Sequence, residues 1–177
     1  MKTLTEQLTK YATYHRDPRN IATHFIGIPM IVLAVAVLLS RPALLDVGGV
    51  PVTPACIVTV LAVAYYLLLD LRFGALMALL MGLILWAAHA IAQGSTATWL
   101  GAGVALFVVG WVIQFVGHWY EGRKPAFVDD ITGLIIGPLF VAAEAAFMLG
   151  ARPEVLRAIE ASAGPVKRRE PSAQRTA

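Results

Sequence analysis

Charge-free stretches alternate with short polar segments along this chain. No Asp, Glu, Lys or Arg occurs in residues 20–40, 47–69 or 73–120, and the last apolar run, residues 131–151, contains only Glu144. A helix needs about 20 apolar residues to cross the hydrocarbon core of a bilayer, and the third run is long enough to cross twice. The pattern therefore predicts an integral membrane protein with four or five transmembrane helices.

Capping and turn residues predict where these helices begin and end. Asp17 is a good N-cap and Pro18 suits the first helical turn, so the first transmembrane helix is expected to run from there to about Ser40. Turn signals further along predict three more helices: one over about residues 54–69, one that follows a tight polar turn at "DLRFG" and runs to about Gln93, and one over about residues 99–120. The pair Gly137-Pro138 disturbs the last run, which either crosses the bilayer or turns back at that pair.

The first residues carry the pattern of a short amphipathic helix. Thr3 stands three residues before Glu6, which is the spacing of a capping box. The apolar residues that share one face of this helix are Leu4, Leu8 and Tyr11. A helix of this kind is expected to lie on the membrane surface.

The predicted fold is thus all-α, a compact bundle of four or five transmembrane helices with an N-terminal amphipathic helix. Residues 1–150 form a single membrane-embedded domain in this interpretation. Residues 151–177 are rich in Arg, Lys, Pro and Ser, and they are expected to form a polar, disordered tail.

Composition supports the membrane assignment and narrows the possible partners. Of the 177 residues, 58% are hydrophobic and 14% are charged, whereas soluble domains carry roughly 25% charged residues. The lipid bilayer is therefore the expected surrounding. No basic stripe on a soluble surface is predicted, which argues against nucleic acid as a partner. The pattern carries no signal for the oligomeric state.

Most basic residues near the predicted helix ends fall on one side of the membrane. They are Lys2, Lys10, Arg16, Arg19, Arg72, Arg123 and Lys124. If four helices alternate, the opposite loops carry only Arg41. Because Lys and Arg accumulate in cytoplasmic loops, the basic side is expected to be cytoplasmic. The short loops and the lack of retention signals favour a bacterial inner membrane.

One group of polar residues closes the longest charge-free run. Gln114, His118 and Glu121 are spaced i, i+4 and i+7, so they share one helix face, and Arg123 and Lys124 follow at once. This face either hydrogen-bonds to neighbouring helices and water or forms part of a functional site. The two basic residues either anchor the helix at lipid headgroups or attract an anionic substrate.

A second group precedes and opens the first transmembrane helix. Asn20 and His24 are four residues apart and share a face, and the helix break after His15 allows that residue to fold back toward His24. In the predicted topology, His15, His24 and His118 all approach the same side of the bilayer. Imidazole suits iron as well as zinc, so these three histidines are candidate metal ligands.

Two further ionisable residues fit this site less directly. His89 lies near the opposite end of the third helix, and a straight hairpin would leave it roughly 30 Å from His118. Glu144 lies inside the last apolar run and is expected to pair with an imidazole or an Arg. Gln114 and Asn20 are candidates for fixing the tautomers of the imidazoles next to them.

Three segments together resemble one family of membrane proteins. These are "YHRDPRNIATHFIGIP", "GWVIQFVGHWYEGRKPAFVDD" and "GPLFVAAE", and the resemblance covers about residues 8–150. The family is that of the fungal and bacterial 2-hydroxy fatty acid dioxygenases, formerly catalogued as a domain of unknown function. Its fungal member is named for the metabolism of phytosphingosine to odd-numbered fatty acids.

The resemblance implies an Fe(II)-dependent dioxygenase of fatty acid α-oxidation, with the catalytic domain in residues 1–150. A 2-hydroxy fatty acid and O2 would give the acid one carbon shorter and CO2. His15, His24 and His118 match histidines of the family by position, and His89 matches a further one. The residues expected to support the metal or the substrate are Asn20, Gln114, Glu121, Arg123, Lys124 and Glu144.

Two other classes of function remain open from the sequence. Histidine pairs on neighbouring helices can serve as axial ligands of haem, and a Soret band would identify such a protein. A transporter or a structural membrane protein would use the polar face to line a path or to join helices. The chain shows no internal repeat of the kind common in transporters, and metal analysis would separate this class from a metalloenzyme.

Overall fold

Among residues 2–167, which the computed structural model describes, seven α-helices account for most of the chain. They are α1 (Leu4–Ala12), α2 (Pro18–Leu39), α3 (Pro54–Leu69), α4 (Leu71–Ala92), α5 (Thr96–Glu121), α6 (Gly133–Met148) and α7 (Pro153–Ala163). An antiparallel hairpin of two strands, β1 (Leu45–Val47) and β2 (Val50–Val52), joins α2 to α3, and a 3-10 helix, Ala126–Val128, precedes α6. The predicted all-α fold is confirmed.

Three helices are long and apolar enough to cross a membrane. These are α2, α4 and α5, and α3 is a shorter apolar helix of 16 residues. The pair α6 and α7 passes the same test only as one span, and it is bent by 115°. Length and composition therefore give three or four candidate spans, in line with a membrane protein. The predicted helix over residues 54–69 coincides with α3 because Thr53 caps its start and Asp70 its end.

The helices define two ends of the bundle. We call the end at which α2 begins the near end and the opposite end, which carries the β-hairpin, the far end. Arg41, just after α2, donates hydrogen bonds to the carbonyl oxygens of Ala92, the last residue of α4, and Gly94, in the turn before α5. The turn between α4 and α5 therefore lies at the far end, and α4 begins and α5 ends at the near end.

Helix α6 starts and finishes at the near end. Just before it, Asp130 pairs with Lys10 of α1, and just after it, Arg152 pairs with Asp70 at the start of α4. Both partners belong to the near end, so α6 lies across that end of the bundle and does not cross. Of the two courses that the sequence left open, the chain takes the one that turns back.

The position of this turn differs from the prediction. Helix α6 continues through Gly137-Pro138, and the chain reverses after Leu149, where Gly150 and Arg152 have φ values of 78° and 55°. Gly137 serves packing instead, because a Cβ there would lie 3.0 Å from the Tyr11 hydroxyl oxygen. The left-handed backbone at Gly150 ends α6. Pro138 lies in the second turn of α6 and does not break it.

The tail prediction is wrong for residues 153–163. Part of the segment 151–177, expected to be disordered, forms α7, which packs against α1 and buries Val155 and Ile159. These two apolar residues are four apart, so they share one face of a helix that covers the apolar side of α1. The basic end of the tail, residues 168–177, lies outside the described residues.

The N-terminal helix has the predicted cap and a different environment. Thr3 and Glu6 form the capping box. The face of α1 that was expected to rest on lipid is instead covered by protein, since Leu8 is fully buried in a cluster with residues of α6 and α7. Helix α1 is therefore held between α6 and α7 at the near end, which fixes the position of the turn that follows it.

Helices α2 and α5 approach each other closely through glycines. A Cβ at Gly110 would lie 3.1 Å from the carbonyl oxygen of Gly27, and a Cβ at Gly27 would lie 2.9 Å from that of Gly110. Small residues allow such close contact between membrane helices. This packing brings the end of α5 against the start of α2, where the candidate site lies.

Candidate metal centre

Three histidines from different elements meet at the near end. His15 follows α1, His24 lies in the second turn of α2, and His118 lies in the last turn of α5. One nitrogen from each ring can be chosen so that all three lie within 4.8 Å of one another. The side chains are 0%, 1% and 6% exposed, in the same order. This geometry is that of a candidate metal site.

The turn between α1 and α2 brings His15 and His24 together. Asp17 caps α2 by accepting a hydrogen bond from the backbone N–H of Arg19, so a new helix axis begins immediately after His15. The His15 ring stacks on the Tyr11 ring with centroids 4.2 Å apart, and Phe140 of α6 packs against it at 5.5 Å. These aromatic neighbours hold the imidazole in place and shield it from water.

Hydrogen bonds determine which nitrogen carries the proton in two of the rings. His15 Nδ1 lies 2.7 Å from the carbonyl oxygen of Tyr11, and His24 Nδ1 lies 2.8 Å from that of Asn20. A carbonyl oxygen only accepts hydrogen bonds, so both Nδ1 atoms are protonated. Both Nε2 atoms are then left with a lone pair in the neutral rings.

These two lone pairs face each other. The Nε2 atoms of His15 and His24 are 3.0 Å apart, which places two acceptors in contact with no proton between them while both rings are neutral. Burial lowers the pKa of His15 well below its usual value, and the neighbouring His24 adds to this shift, so the His15 ring stays uncharged at neutral pH. A cation bound by both nitrogens relieves the repulsion.

The donor set fits a transition metal. Neutral imidazole nitrogens are preferred ligands of iron, zinc and copper. His118 adds a third ring, and its buried Nδ1 has no hydrogen-bond partner among the described residues. A second group that holds each ligand in orientation is typical of metal sites, and the Tyr11 and Asn20 carbonyls do this for two of the rings. The residues present therefore fit a bound metal ion.

Glu121 holds the turn that carries His15. Its Oε2 atom accepts hydrogen bonds from the backbone N–H groups of Arg16 and Asp17, at 2.9 and 2.7 Å, and from the Asn20 side chain at 3.2 Å. The other oxygen lies 3.4 Å from Lys167 Nζ. The carboxylate therefore binds backbone N–H groups at the start of α2, where the helix dipole favours negative charge. It is not one of the clustered atoms that could bind a metal.

Asn20 and Gln114 occupy different positions relative to the histidines. Asn20 is fully buried, its backbone carbonyl orients His24, and its side chain bonds to Glu121. Gln114 was expected to fix a tautomer in the same way. Its amide Nε2 instead has no hydrogen-bond partner in the described part of the chain, and its side chain lines a cleft together with His24 and His118.

Three other predicted residues have partners away from the histidine rings. Glu144 lies 3.7 Å from the Arg16 guanidinium. It was expected to pair with either an imidazole or an Arg, and it pairs with the Arg. Arg123 donates to the carbonyl oxygen of Thr13 at the end of α1. Lys124 pairs with Asp129 at 2.6 Å. Both basic side chains that were candidates for attracting substrate thus make contacts within the near end.

His89 lies apart from the other three histidines. Its Nε2 atom is 3.1 Å from the Gln93 side chain in the last turn of α4, at the far end of the bundle. His24 is near the start of α2, and the rise of a helix puts roughly 20 Å between these ends. Among the described residues, the structure brings His15, His24 and His118 together and leaves His89 out of that group.

Removing the Glu121 carboxylate is expected to weaken metal binding. Glu121→Ala frees two backbone N–H groups and the Asn20 side chain, so the turn that presents His15 and His24 loosens, and metal affinity should fall by about 10- to 100-fold. Metal titration of the purified protein measures this change. Glu154→Ala removes an exposed carboxylate of α7 and is the matched control, with affinity expected to be unchanged. Equal affinities for the two variants would contradict the role of Glu121.

Comparison with known proteins bears on this geometry. The family model described as "2-hydroxy-palmitic acid dioxygenase Mpo1-like" matches residues 1–149, which include all three clustered histidines. The chain belongs to the Mpo1-like family. The resemblance seen in the sequence is thereby confirmed.

A yeast member of the Mpo1-like family supports the same assignment. The 2-hydroxy-palmitic acid dioxygenase MPO1 of Saccharomyces cerevisiae is 31% identical over 160 residues, which cover 89% of this chain and 87% of that relative. No solved structure matches this chain. The match to the family ends at residue 149, so α7 lies beyond it.

Two residues of this Mpo1-like protein lie beside the histidines and were not predicted from its sequence to belong to the site. Tyr11 contributes both its ring and its carbonyl oxygen to His15. Arg16 is buried and donates from Nε to the carbonyl oxygens of Ala12 and His15. The spacing of Tyr11, four residues before His15, was the available signal, because residues four apart lie on one helix face.

Proposed function

We propose that this protein is an Fe(II)-dependent dioxygenase that shortens 2-hydroxy fatty acids by one carbon. One 2-hydroxy acid, R–CH(OH)–COOH, and one O2 would give R–COOH, CO2 and H2O, which balances all atoms. The observation that carries the proposal is the buried contact between His15 Nε2 and His24 Nε2 at 3.0 Å, with His118 beside it. Family membership supports the reaction class, since the yeast relative is named a 2-hydroxy-palmitic acid dioxygenase.

The protein residues would hold the metal and keep the site dry. His15, His24 and His118 would bind the ion, and bound Fe(II) would supply the redox chemistry with O2 that side chains lack. Tyr11 and Phe140 exclude water from the His15 side. Glu121, acting through the backbone of the α1–α2 turn, would keep the first two ligands in position while metal and substrate exchange.

The haem alternative is disfavoured by the same geometry. The three imidazole rings pack edge to face with centroids 4.4 to 5.1 Å apart. Two axial ligands of haem must stand on opposite sides of a porphyrin, and rings in direct contact leave no space for one. A compact site for a single ion is the arrangement that these residues favour.

The membrane would deliver the substrate. The apolar helices indicate a membrane protein by their length and composition, and the site lies at the near end, where most of the basic residues near the helix ends stand. The cytoplasmic orientation of this end stays a prediction. The bacterial inner membrane also stays a prediction from the short loops, and the yeast relative gives it no support.

An activity assay with a defined substrate tests the proposal. Purified protein, loaded anaerobically with Fe(II) and then given O2 and 2-hydroxypalmitic acid, is expected to release pentadecanoic acid and CO2 in equal amounts. Palmitic acid, which lacks the 2-hydroxyl group, is the matched control and should not react. Absence of the shortened acid from iron-loaded protein, or equal turnover of palmitic acid, would reject the function.

A further inference from the structure

A cleft opens next to the histidines, between α2, α5 and the start of α6. One end of it is lined by His24, Gln114 and His118, and the space within it, counted together with the open solvent at its mouth, is about 460 Å³. The metal centre is therefore reached through this cleft.

The walls of the cleft are apolar away from the histidines. The lining side chains in this part include Ile28, Ile31, Val32, Trp111, Phe127 and Leu134. Trp111 and Phe127 pack edge to face within this wall, with ring centroids 5.1 Å apart. Leu134 is 48% exposed, so the apolar wall continues to the outer surface of the bundle. An apolar lining that reaches a lipid-facing surface suits a hydrocarbon chain.

Gln114 is one of the few buried polar side chains of the described residues that have an atom without a hydrogen-bond partner. It is 4% exposed, and its Nε2 atom makes no hydrogen bond to any residue in the described range 2–167. An unpaired buried donor destabilises a protein, and such groups need a reason. Gln114 lies one helical turn before His118 on the same face of α5. An amide in this place can bind an oxygen atom of a ligand that also reaches the metal.

Among the residues that the structure describes, no Lys or Arg lines the cleft. Arg123 and Lys124 are held by Thr13 and Asp129, so neither stands at the cleft to pair with a carboxylate. A ligand with a single negative charge would instead be met by the cation of the metal centre and by the Gln114 amide. The cleft thus combines one polar end with one long apolar wall.

We propose that this cleft binds the carboxylate end and the first part of the acyl chain of the 2-hydroxy fatty acid, an inference that rests on the proposed function. The Gln114 amide donates a hydrogen bond to the carboxylate or the 2-hydroxyl oxygen beside His24 and His118. The acyl chain runs along Trp111 and Phe127 and leaves the bundle past Leu134 into the bilayer. Gln114 is therefore a substrate-binding residue, and Leu134 sets how much chain the cleft accepts.

Substrate binding can be tested independently of turnover. In anaerobic, metal-loaded protein, 2-hydroxypalmitic acid carrying a diazirine in the middle of its chain is expected to label peptides that contain Trp111, Phe127 or Leu134. Unlabelled 2-hydroxypalmitic acid should compete for this labelling. Labelling confined to other surfaces, or labelling that does not compete, would overturn the proposal. This readout holds even if the protein fails to shorten the acid, so the two failures are distinguishable.

Two variants test the separate ends of the cleft. Gln114→Ala is expected to raise the KM for 2-hydroxypalmitic acid by about 10- to 100-fold, because a hydrogen bond to a charged group is lost, with the metal content unchanged. Leu134→Trp is expected to lower kcat/KM for 2-hydroxypalmitic acid about tenfold and to leave 2-hydroxyoctanoic acid nearly unaffected.

A lipid-facing position outside the cleft is the matched control for chain length. Leu100→Trp changes an exposed residue near the start of α5 and should alter neither substrate. An equal loss with both chain lengths in Leu134→Trp, or the same selectivity in Leu100→Trp, would overturn the placement of the acyl chain. An unchanged KM in Gln114→Ala would overturn the role of its amide.

Discussion

Alanine at His118 is expected to abolish both metal binding and turnover. The three imidazoles form one compact site, and removing a ligand should cost more than the roughly 10- to 100-fold loss that follows the removal of an outer partner. Metal analysis of the purified protein and the release of pentadecanoic acid measure the two effects. His118 is the suitable choice because it takes no part in the turn between α1 and α2, so the fold around the other ligands is expected to persist.

His89→Ala is the matched control for this experiment. It removes the histidine that lies at the far end and contacts Gln93, and it is expected to change metal content and turnover by about twofold or less. The contrast is informative because His89 was a candidate ligand by its position in the sequence. Loss of metal in His89→Ala, or retained activity in His118→Ala, would contradict a centre built from His15, His24 and His118.

Removal of the metal is expected to lower the thermal midpoint of unfolding. Without a cation, the lone pairs of His15 Nε2 and His24 Nε2 face each other at 3.0 Å. A metal present at a hundred times its Kd stabilises the folded state by about 2.7 kcal/mol. For a chain of this size that corresponds to a shift of roughly 5–10 °C, measurable by a thermal scan with and without a chelator in the same detergent.

The same scan on a variant separates metal loss from other effects of the chelator. His118→Ala already lacks the metal in this account, so its thermal midpoint should not respond to the chelator. The protein with all its histidines should recover its midpoint when Fe(II) is returned under anaerobic conditions. Identical midpoints with and without chelator, in protein shown to have lost its metal, would mean that the histidine pair does not need a cation.

The placement of the polar residues changes how the near end is understood. Glu121, a candidate for metal or substrate, bonds to backbone N–H groups of Arg16 and Asp17. Arg123 bonds to the end of α1, so the two residues act together on the segment that carries His15. Gln114 was expected to support an imidazole ring, and in the structure it lines the cleft. Polar residues on one helix face thus divide between holding the turn before α2 and lining the cleft.

The parts of the fold that could be predicted are those set by nearby residues, such as helix caps and apolar runs. The bounds of α3 follow from a capping Thr53, an apolar run and Asp70, all of which act within a few residues. Helix α7 was missed because its apolar positions are few and separated by charges. They become a buried face only when α1 lies beneath them. A helix that depends on a partner far away in the chain gives a weak signal in its own sequence.

Chain length, apolar runs and caps by themselves determined a membrane-embedded helical protein, and the helix break after His15 was enough to bring that residue near His24. The tertiary structure decided which of the four histidines meet. It joins His118 to the pair through the close packing of α2 and α5 at their glycines, and it leaves His89 at the other end. It also decided that α6 returns to the near end, where it walls the cleft. These outcomes depend on contacts between residues more than 80 positions apart, and spacing along one helix cannot encode them.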